Sequence, residues 1–471
     1  MSELNLKDAP FHFIGIGGIG MSALAYVLAK RGLRVSGSDL RASHITYRLQ
    51  ELGVTIFTEQ SGANFEKLDN NFPGLRPQVI CSTAIGRQNS EFLAAKKRGY
   101  PIFHRADVLA ALMKGYCSIA VAGTHGKTTT SSLISYIVWD AGLDPTVIIG
   151  GEVSAWEGNA RLGNGNYLVA EADESDGSLV KYSPHIGVIT NIEWDHPDHY
   201  QSIEQLVDIF QKFARQCKTV IACVDCPVVA ESIQADITYS IRPDSGADYT
   251  ATNIVHSPFG SQAEIWENGS LLGSISLLLS GSHNISNSLA AIAVARKLGL
   301  DFPTIARALA KFEGAKRRFE YRGNYRGATL IDDYAHHPSE IRCTISAARS
   351  RLPQYEAERI VAVFQPHRYT RTAVFLEEFA SSFQQADVLV LTDIYSAGEA
   401  PIEGVTGEKL ADCARKYHPR VYYHPQLSNL KDFLSDFLQK GDLVLFMGAG
   451  NLNQIIPILL SLDEKSLPQA A

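Results

Sequence analysis

Gly15-x-Gly17-x-x-Gly20 follows the apolar run FHFIGI and precedes a helical pattern. Glycines so spaced let a backbone turn tightly and bring a helix N-terminus against a pair of phosphates. Gly18 and Ile19 complete the turn, and Asp39 lies where an acid would meet the ribose of a dinucleotide. A second turn, Gly123-Thr124-His125-Gly126-Lys127-Thr128-Thr129, follows SIAVA and opens another helical pattern. Its N–H groups would face phosphate, Lys127 would set a charge on the β and γ oxygens, and the Thr128 hydroxyl would ligate Mg²⁺. Val121 stands at the first glycine of the strict G-x-x-x-x-G-K-[ST] pattern, so this loop is a shorter variant.

A phosphate loop needs a metal, and the metal needs carboxylate. NYLVAEADESDG ends an apolar run on Glu171, with Asp173, Glu174 and Asp176 close behind. Further on, NIEWDHPDHY sets His196 and His199 beside Asp195 and Asp198, which reads as a metal cluster or as a polar loop satisfied by its own backbone. Set against Glu171 and Thr128, this group points to a second divalent ion. A nicotinamide-dependent oxidoreductase would account for residues 11–39 and for nothing after residue 120. A nucleotide-binding regulator would account for the second turn alone.

These residues must be positioned by elements that alternate. Strand-like apolar runs and helical runs succeed one another throughout, which implies α/β architecture with parallel sheets covered by helices. A chain of 471 residues is too long for one core, and about 150 residues per domain predicts about three. The expected modules are 1–108, 109–314 and 315–471, the last running through ATLIDDYAHHP, RIVAVFQPHR, ADVLVLTDIYSAGE and DLVLFMGAGNLNQI. A net charge of −7 leaves no basic excess for a nucleic acid, so phosphate sites must be local. No apolar run is long enough to span a bilayer, and MSELNLKDAP lacks the basic start and apolar core of a signal peptide, so a cytoplasmic protein without membrane partners is expected. Seven scattered cysteines fit a reducing compartment; Cys223 and Cys226 form the one C-x-x-C, read as packing.

GIGGIGMSALA, AGTHGKTTT, EADESDGSL, NIEWDHPDHY, SHNISNSLAA, GAKRRFE, DDYAHHPSE, FQPHRYTRT and DIYSAGE occur in this order and together resemble the Mur ligases of peptidoglycan synthesis, from Phe11 to Asn453. The resemblance implies three domains. An N-terminal Rossmann-like domain would hold UDP-N-acetylmuramate, a central P-loop ATPase-like domain with a mostly parallel sheet would hold ATP, and a C-terminal Rossmann-like α/β domain would bring L-alanine. ATP would phosphorylate the lactyl carboxylate to an acyl phosphate, and the amine of L-alanine would displace phosphate.

Carried onto this chain, the Gly15–Gly20 turn would bind the diphosphate of a UDP-sugar. Lys127 would hold the γ-phosphate, Thr128 and Glu171 the first Mg²⁺, and Glu171 with His196 a second. Asn284 or Asn287 would meet the adenine and Arg318 the phosphates or ribose. Arg368 and Arg371, three apart and expected on one face of a helix, would offer a guanidinium fork to the amino-acid carboxylate. Tyr334 and His336 would close over the reacting groups, with His336 orienting the amine or taking its proton, since imidazole titrates near the working pH. A murein tripeptide recycling ligase of the same family would share most ATP residues; GIGGIGMS fits the alanine enzyme better. A monomer or weak homodimer is expected.

Overall fold

The computed structural model describes residues 4–71, 74 and 76–466. They fall into two compact units, the first within Met1–Ile192, Leu206–Tyr239 and Ala290–Ala308, the second within Glu193–Gln205, Ser240–Leu289 and Leu309–Ala471. All five boundaries between them fall within the central module read from the sequence, 109–314, which shares its residues between the two units.

In the first unit, β1 (Phe11–Ile14), β2 (Val35–Ser38), β3 (Thr55–Phe57), β4 (Gln78–Cys81) and β5 (Ile102–His104) form a parallel sheet in the order β3-β2-β1-β4-β5. All four residues of β1 are buried, as a parallel strand covered on both faces must be. Its one polar side chain, His12, is satisfied by Ser36 Oγ and Glu91 Oε1, each at 2.9 Å. Strand order reverses between β1 and β4, and the Gly15 turn leaves β1 there, at the crevice where open α/β sheets bind ligands.

The same unit holds β6 (Cys117–Ala122), β7 (Thr146–Val153), β8 (Gly158–Arg161), β9 (Tyr167–Glu171), β10 (Ile186–Ile189), β11 (Thr219–Cys223) and β12 (Ile237–Ser240), in the order β12-β11-β10-β6-β9-β7-β8. β8 runs antiparallel to β7, while β6, β7, β9, β10, β11 and β12 are joined in parallel. The register of β6 on β9 sets Val121 opposite Glu171. Val121 is therefore a buried strand residue, which is why the first glycine of the longer phosphate loop is dispensable here. The helix Ile203–Gln216 buries Leu206, Phe210 and Phe213, one stripe at helical spacing.

The second unit carries an antiparallel meander, β13 (Tyr249–Ser257), β14 (Gly260–Glu267) and β15 (Ser270–Leu277). Its main sheet is β16 (Glu320–Tyr325), β17 (Ala328–Asp333), β18 (Arg359–Phe364), β19 (Val388–Leu391), β20 (Val421–Tyr423) and β21 (Asp442–Met447), in the order β16-β17-β21-β18-β19-β20 and parallel except for β16. Period-two side-chain direction gives it two cores: Ile331, Phe364 and Leu445 face one, Leu330, Val363 and Val444 the other.

Segment 193–205 is fastened to this sheet by charge. Arg371, on the helix Tyr369–Val374, donates from Nε to Asp195 Oδ1 at 2.9 Å and from Nη2 to Asp195 Oδ2 at 3.1 Å. Both residues are buried. Trp194 packs edge-on to Phe375, with ring centroids 5.7 Å apart. Burial opposes the Asp195 charge, but Arg371, then His196, His336 and His337, outweigh it and hold the carboxyl well below its ordinary range. A group depressed in the folded state stabilises fully at neutral pH, and that contribution fades as pH falls below the ordinary carboxylate range. Arg371→Ala should therefore destabilise the second unit by about 3–5 kcal/mol at pH 7, since one partner of a buried pair is left uncompensated. Urea unfolding checks this: the double variant Arg371→Met/Asp195→Leu should recover most of the loss, and an unshifted midpoint for Arg371→Ala would contradict the assignment.

Candidate active site

The first glycine turn is built for close backbone approach. Gly15 sits at φ +78°, its N–H and that of Ile16 donate to Ser38 O, and Gly18 caps the helix Ile19–Lys30 without a side-chain cap bond. Asp39 meets the turn's own backbone: Oδ2 accepts from Gly17 N at 2.8 Å and Oδ1 from Arg41 N at 3.1 Å. A Cβ at Gly17 would lie 2.8 Å from Asp39 Oδ2, which is why this position is glycine. Asp39 thus holds the turn's shape.

The second turn leaves β6 as expected. Gly126, at φ +81°, is the N-cap of the helix Lys127–Asp140. At Gly123 a Cβ would fall on the Thr190 hydroxyl. The loop is held from β10 and its extension: His125 N donates to Asn191 Oδ1 at 2.8 Å, Thr124 N to Asn191 O at 3.0 Å, and Thr190 Oγ1 to His125 O at 2.6 Å. Lys127 Nζ donates to Gly123 O at 2.5 Å, Thr124 O at 3.1 Å and Glu174 Oε1 at 2.9 Å. Burial works against this ammonium, but Glu174, Asp173 and Glu171 overcome it and raise its pKa above the ordinary lysine value. Burial pushes Glu174 up to about 7 despite Lys127 beside it, with Asp173 adding to the rise.

Thr128 and Glu171 meet directly. Thr128 Oγ1 donates to Glu171 Oε2 at 2.8 Å, and the Gly150 amide donates to the same oxygen at 2.9 Å. A hydroxyl and a carboxylate converging beside a phosphate loop form the hard oxygen donor set that Mg²⁺ prefers, so these residues fit the ion. The two glycine turns belong to one unit and are linked by a residue the sequence reading passed over. Arg105, at the start of the helix Arg105–Met113, lies 3.4 Å from where a Gly20 Cβ would be. Its Nη2 reaches Asp173 Oδ2 at 2.8 Å and Asp176 Oδ2 at 3.1 Å. Asp173 in turn acts on Lys127 electrostatically. A single arginine opening a helix carries no pattern, so only the fold could single it out.

The remaining candidates lie in the second unit. His196 has φ +55°, its N–H donates to Asp195 Oδ1 at 2.7 Å, and its Nε2 is 3.6 Å from Asp195 Oδ2. It and Glu171 belong to different units. Asn284 and Asn287 stand on the helix Ser282–Lys297; Asn284 Nδ2 donates to Ser280 O at 2.8 Å and Asn287 Nδ2 to Asn284 Oδ1 at 3.2 Å. Arg318 sits 5.4 Å from the centroid of the Tyr334 ring and 3.9 Å from Glu340.

Two expectations are corrected here. Arg368 and Arg371 do not share a helix face: Arg368 is the N-cap, at φ +72°, and its Nη1 goes to Asp198 Oδ2 at 2.6 Å, whereas Arg371 turns inward to Asp195. Nor does His336 titrate near neutrality. Burial, with Arg371 nearby and against the pull of Glu340, lowers it to about 3. Its Nδ1 lies 3.0 Å from Tyr334 O, so the proton of the neutral ring belongs on Nδ1 and Nε2 is the acceptor. His367, next to Arg368 in the quoted HRYTRT motif and overlooked, joins this group. It stacks on Tyr395 at 5.7 Å, lies 6.1 Å from His336, and sets Nδ1 3.4 Å from Arg371 Nη1. Burial and the surrounding charges lower it to about 2.

Family models match three successive segments: Mur ligase family, catalytic domain, over residues 10–117; Mur ligase middle domain over 121–295; and Mur ligase, glutamate ligase domain, over 317–450. Proteins named UDP-N-acetylmuramate–L-alanine ligase from Gloeothece citriformis and Microcystis aeruginosa are each 58% identical to this chain, over 98% and 99% of it and 99% and 98% of their own lengths. Among solved structures, a UDP-N-acetylmuramate-alanine ligase from Thermotoga maritima is similar with a TM-score of 0.82 at 30% identity, covering 97% of this chain and 100% of that one. A murein peptide ligase from Psychrobacter arcticus shares the fold, with a TM-score of 0.72 at 24% identity over 98% and 99% of the two chains. With its three models in register along the chain and relatives of this identity over nearly full length, the chain belongs to the Mur ligase family.

Proposed function

We propose that this enzyme joins L-alanine to the lactyl carboxylate of UDP-N-acetylmuramate in peptidoglycan precursor synthesis, with ATP cleaved to ADP and phosphate. The observation that carries the reading is 58% identity along nearly the whole chain to ligases bearing that name. The geometry supports it: a diphosphate turn and a phosphate loop in one unit are linked through Arg105. The murein tripeptide reading has a neighbour of lower identity behind it. We take the working domains as 1–108, 109–314 and 315–471, and assign the enzyme to the cytoplasm; no helix among the described residues is long and apolar enough to cross a membrane.

A carboxylate is a poor acylating agent because it lacks a leaving group. Its oxygen attacks the γ-phosphorus and ADP departs; the amine of L-alanine then attacks the acyl carbon and phosphate departs. The Gly15–Gly20 turn holds the UDP-sugar diphosphate against the helix N-terminus. Lys127, freed from Glu174 by the incoming triphosphate, places its charge on the γ-phosphoryl. Mg²⁺, held by Thr128 and Glu171, supplies charge neutralisation there when bound. Glu171 and His196 would be ligands of a second ion. Asn284 or Asn287 meets the adenine, and Arg318 the phosphates or ribose. Arg368, with the Nη1 proton of Arg371 that is not turned to His367, offers N–H donors to the alanine carboxylate. His336 Nε2, a lone pair on a neutral ring, orients the amine beside Tyr334.

Phosphate release should require ATP, Mg²⁺, UDP-N-acetylmuramate and L-alanine together; release that ignores alanine and needs a tripeptide would favour the recycling ligase. Lys127→Ala should lower kcat by about 10²–10³, the cost of losing one preorganised charge on the transferring group, with an unchanged circular dichroism spectrum. Normal turnover would remove Lys127 from the mechanism. A ring lowered to about 3 is essentially neutral across the working pH range. The pH profile of kcat/KM for L-alanine should then show no ionisation between pH 5.5 and 8 that is present in wild type and lost in His336→Asn. An inflection near 6.5 that the variant abolishes would restore the general-base role.

A further inference from the structure

Strands β7 and β8 form a hairpin that neither glycine motif includes; it reaches the first motif at Ile19 and, at Gly150, the carboxylate of Glu171 that Thr128 of the second motif also meets. Pairing of β7 with β8 slips between Ile148 and Val153, a bulge that takes Gly150 out of the ladder. The Gly150 N–H then donates to Glu171 Oε2, and a Cβ there would lie 2.6 Å from Glu171 Oε1. Beyond the bulge the hairpin is fastened to the first sheet's helices. Glu152 Oε1 lies 2.6 Å from His44 Nε2, and Arg48 Nη2 donates to Trp156 O at 3.2 Å while lying over the Tyr26 ring. On the return strand, Asn159 is buried, and its Nδ2 donates to Ile19 O at 2.5 Å and to Ser22 Oγ at 3.2 Å.

Ile19 is the first residue of the helix whose N-terminus faces the diphosphate turn. Its carbonyl accepts from Asn159 and, at 3.0 Å, from the Ser22 hydroxyl, which Asn159 also contacts. The hairpin therefore holds the metal carboxylate with its outgoing strand and the sugar-nucleotide turn with its return strand. We propose that Asn159 is a positioning residue for the UDP-sugar, and that the β7–β8 hairpin sets the separation between the diphosphate turn and Glu171. The inference rests on the function proposed above. Asn159 touches neither substrate; it acts through the Gly18–Ile19 backbone, whose N–H groups must meet the diphosphate in register with the γ-phosphate.

Asn159→Leu keeps the volume and removes the donor. Calorimetric titration of the full-length chain with UDP-N-acetylmuramate should show Kd raised about tenfold, while Kd for ATP with Mg²⁺ stays within about twofold. Initial rates should show KM for the UDP-sugar rising, with KM for ATP and for L-alanine unchanged. A merely structural asparagine would lower the melting temperature and kcat and leave every KM in place, which would overturn the proposal, as would equal losses for both nucleotides. If Asn159→Leu does not fold, Asn159→Asp, which sets a carboxylate against the Ile19 carbonyl, carries the same test. A wild type that fails to bind UDP-N-acetylmuramate would overturn the function itself. A wild type that binds it, with a variant that binds equally well, would overturn the role of Asn159 alone.

Discussion

One carboxylate oxygen, Glu171 Oε2, joins the parts of the first unit. It takes a hydrogen bond from Thr128, the second residue of the phosphate-loop helix, and another from the amide of Gly150 in the β7–β8 hairpin. The two bonds fix the orientation of the Glu171 side chain beside the loop. Its position follows from the pairing of β9 with β6, which sets it opposite Val121, two residues before Gly123. A one-residue slip would turn Glu171 to the other face of the sheet.

Charge is buried throughout the candidate site, and each buried charge has partners. Lys127 is surrounded by two carbonyls and a carboxylate; Arg105 lies between Asp173 and Asp176; Arg371 closes on Asp195. Isolated charges so placed would be driven to neutrality. In company they form a preorganised field that needs little rearrangement when phosphate charge enters. The histidines follow the opposite rule: withdrawal from water, with Arg371 nearby, outweighs the carboxylates beside half-buried His336 and His367 and lowers both, which suits the rings to accept a hydrogen bond.

Local chemistry was legible where it depends on residues near in sequence. Glycine turns after apolar runs, the lysine and threonine that follow, and the acid ending β9 can be placed on their elements from their immediate surroundings, and the coordinates put Thr128 against Glu171. The roles assigned to Arg368 and Arg371 could not be read the same way. Spacing of three suggests a shared helical face, but the helix starts after Arg368, and the two guanidiniums are drawn to Asp198 and Asp195, some 170 residues away in sequence. For His336 an ordinary imidazole was assumed, and burial, invisible in a local window, moved it.

By itself the sequence determined the class of the fold and the places where glycine turns leave apolar strands to open helices, because hydrophobic period and turn chemistry are local quantities that tertiary packing only has to respect. It also determined the family, since nine ordered motifs are hard to assemble by chance. Tertiary structure decided which charges pair, that segment 193–205 rides on the third sheet, that Arg105 meets Asp173 and Asp176, and that Asn159 meets the first turn of the helix Ile19–Lys30. Each depends on burial or on contacts between residues far apart along the chain, and neither quantity is written in the spacing of neighbours.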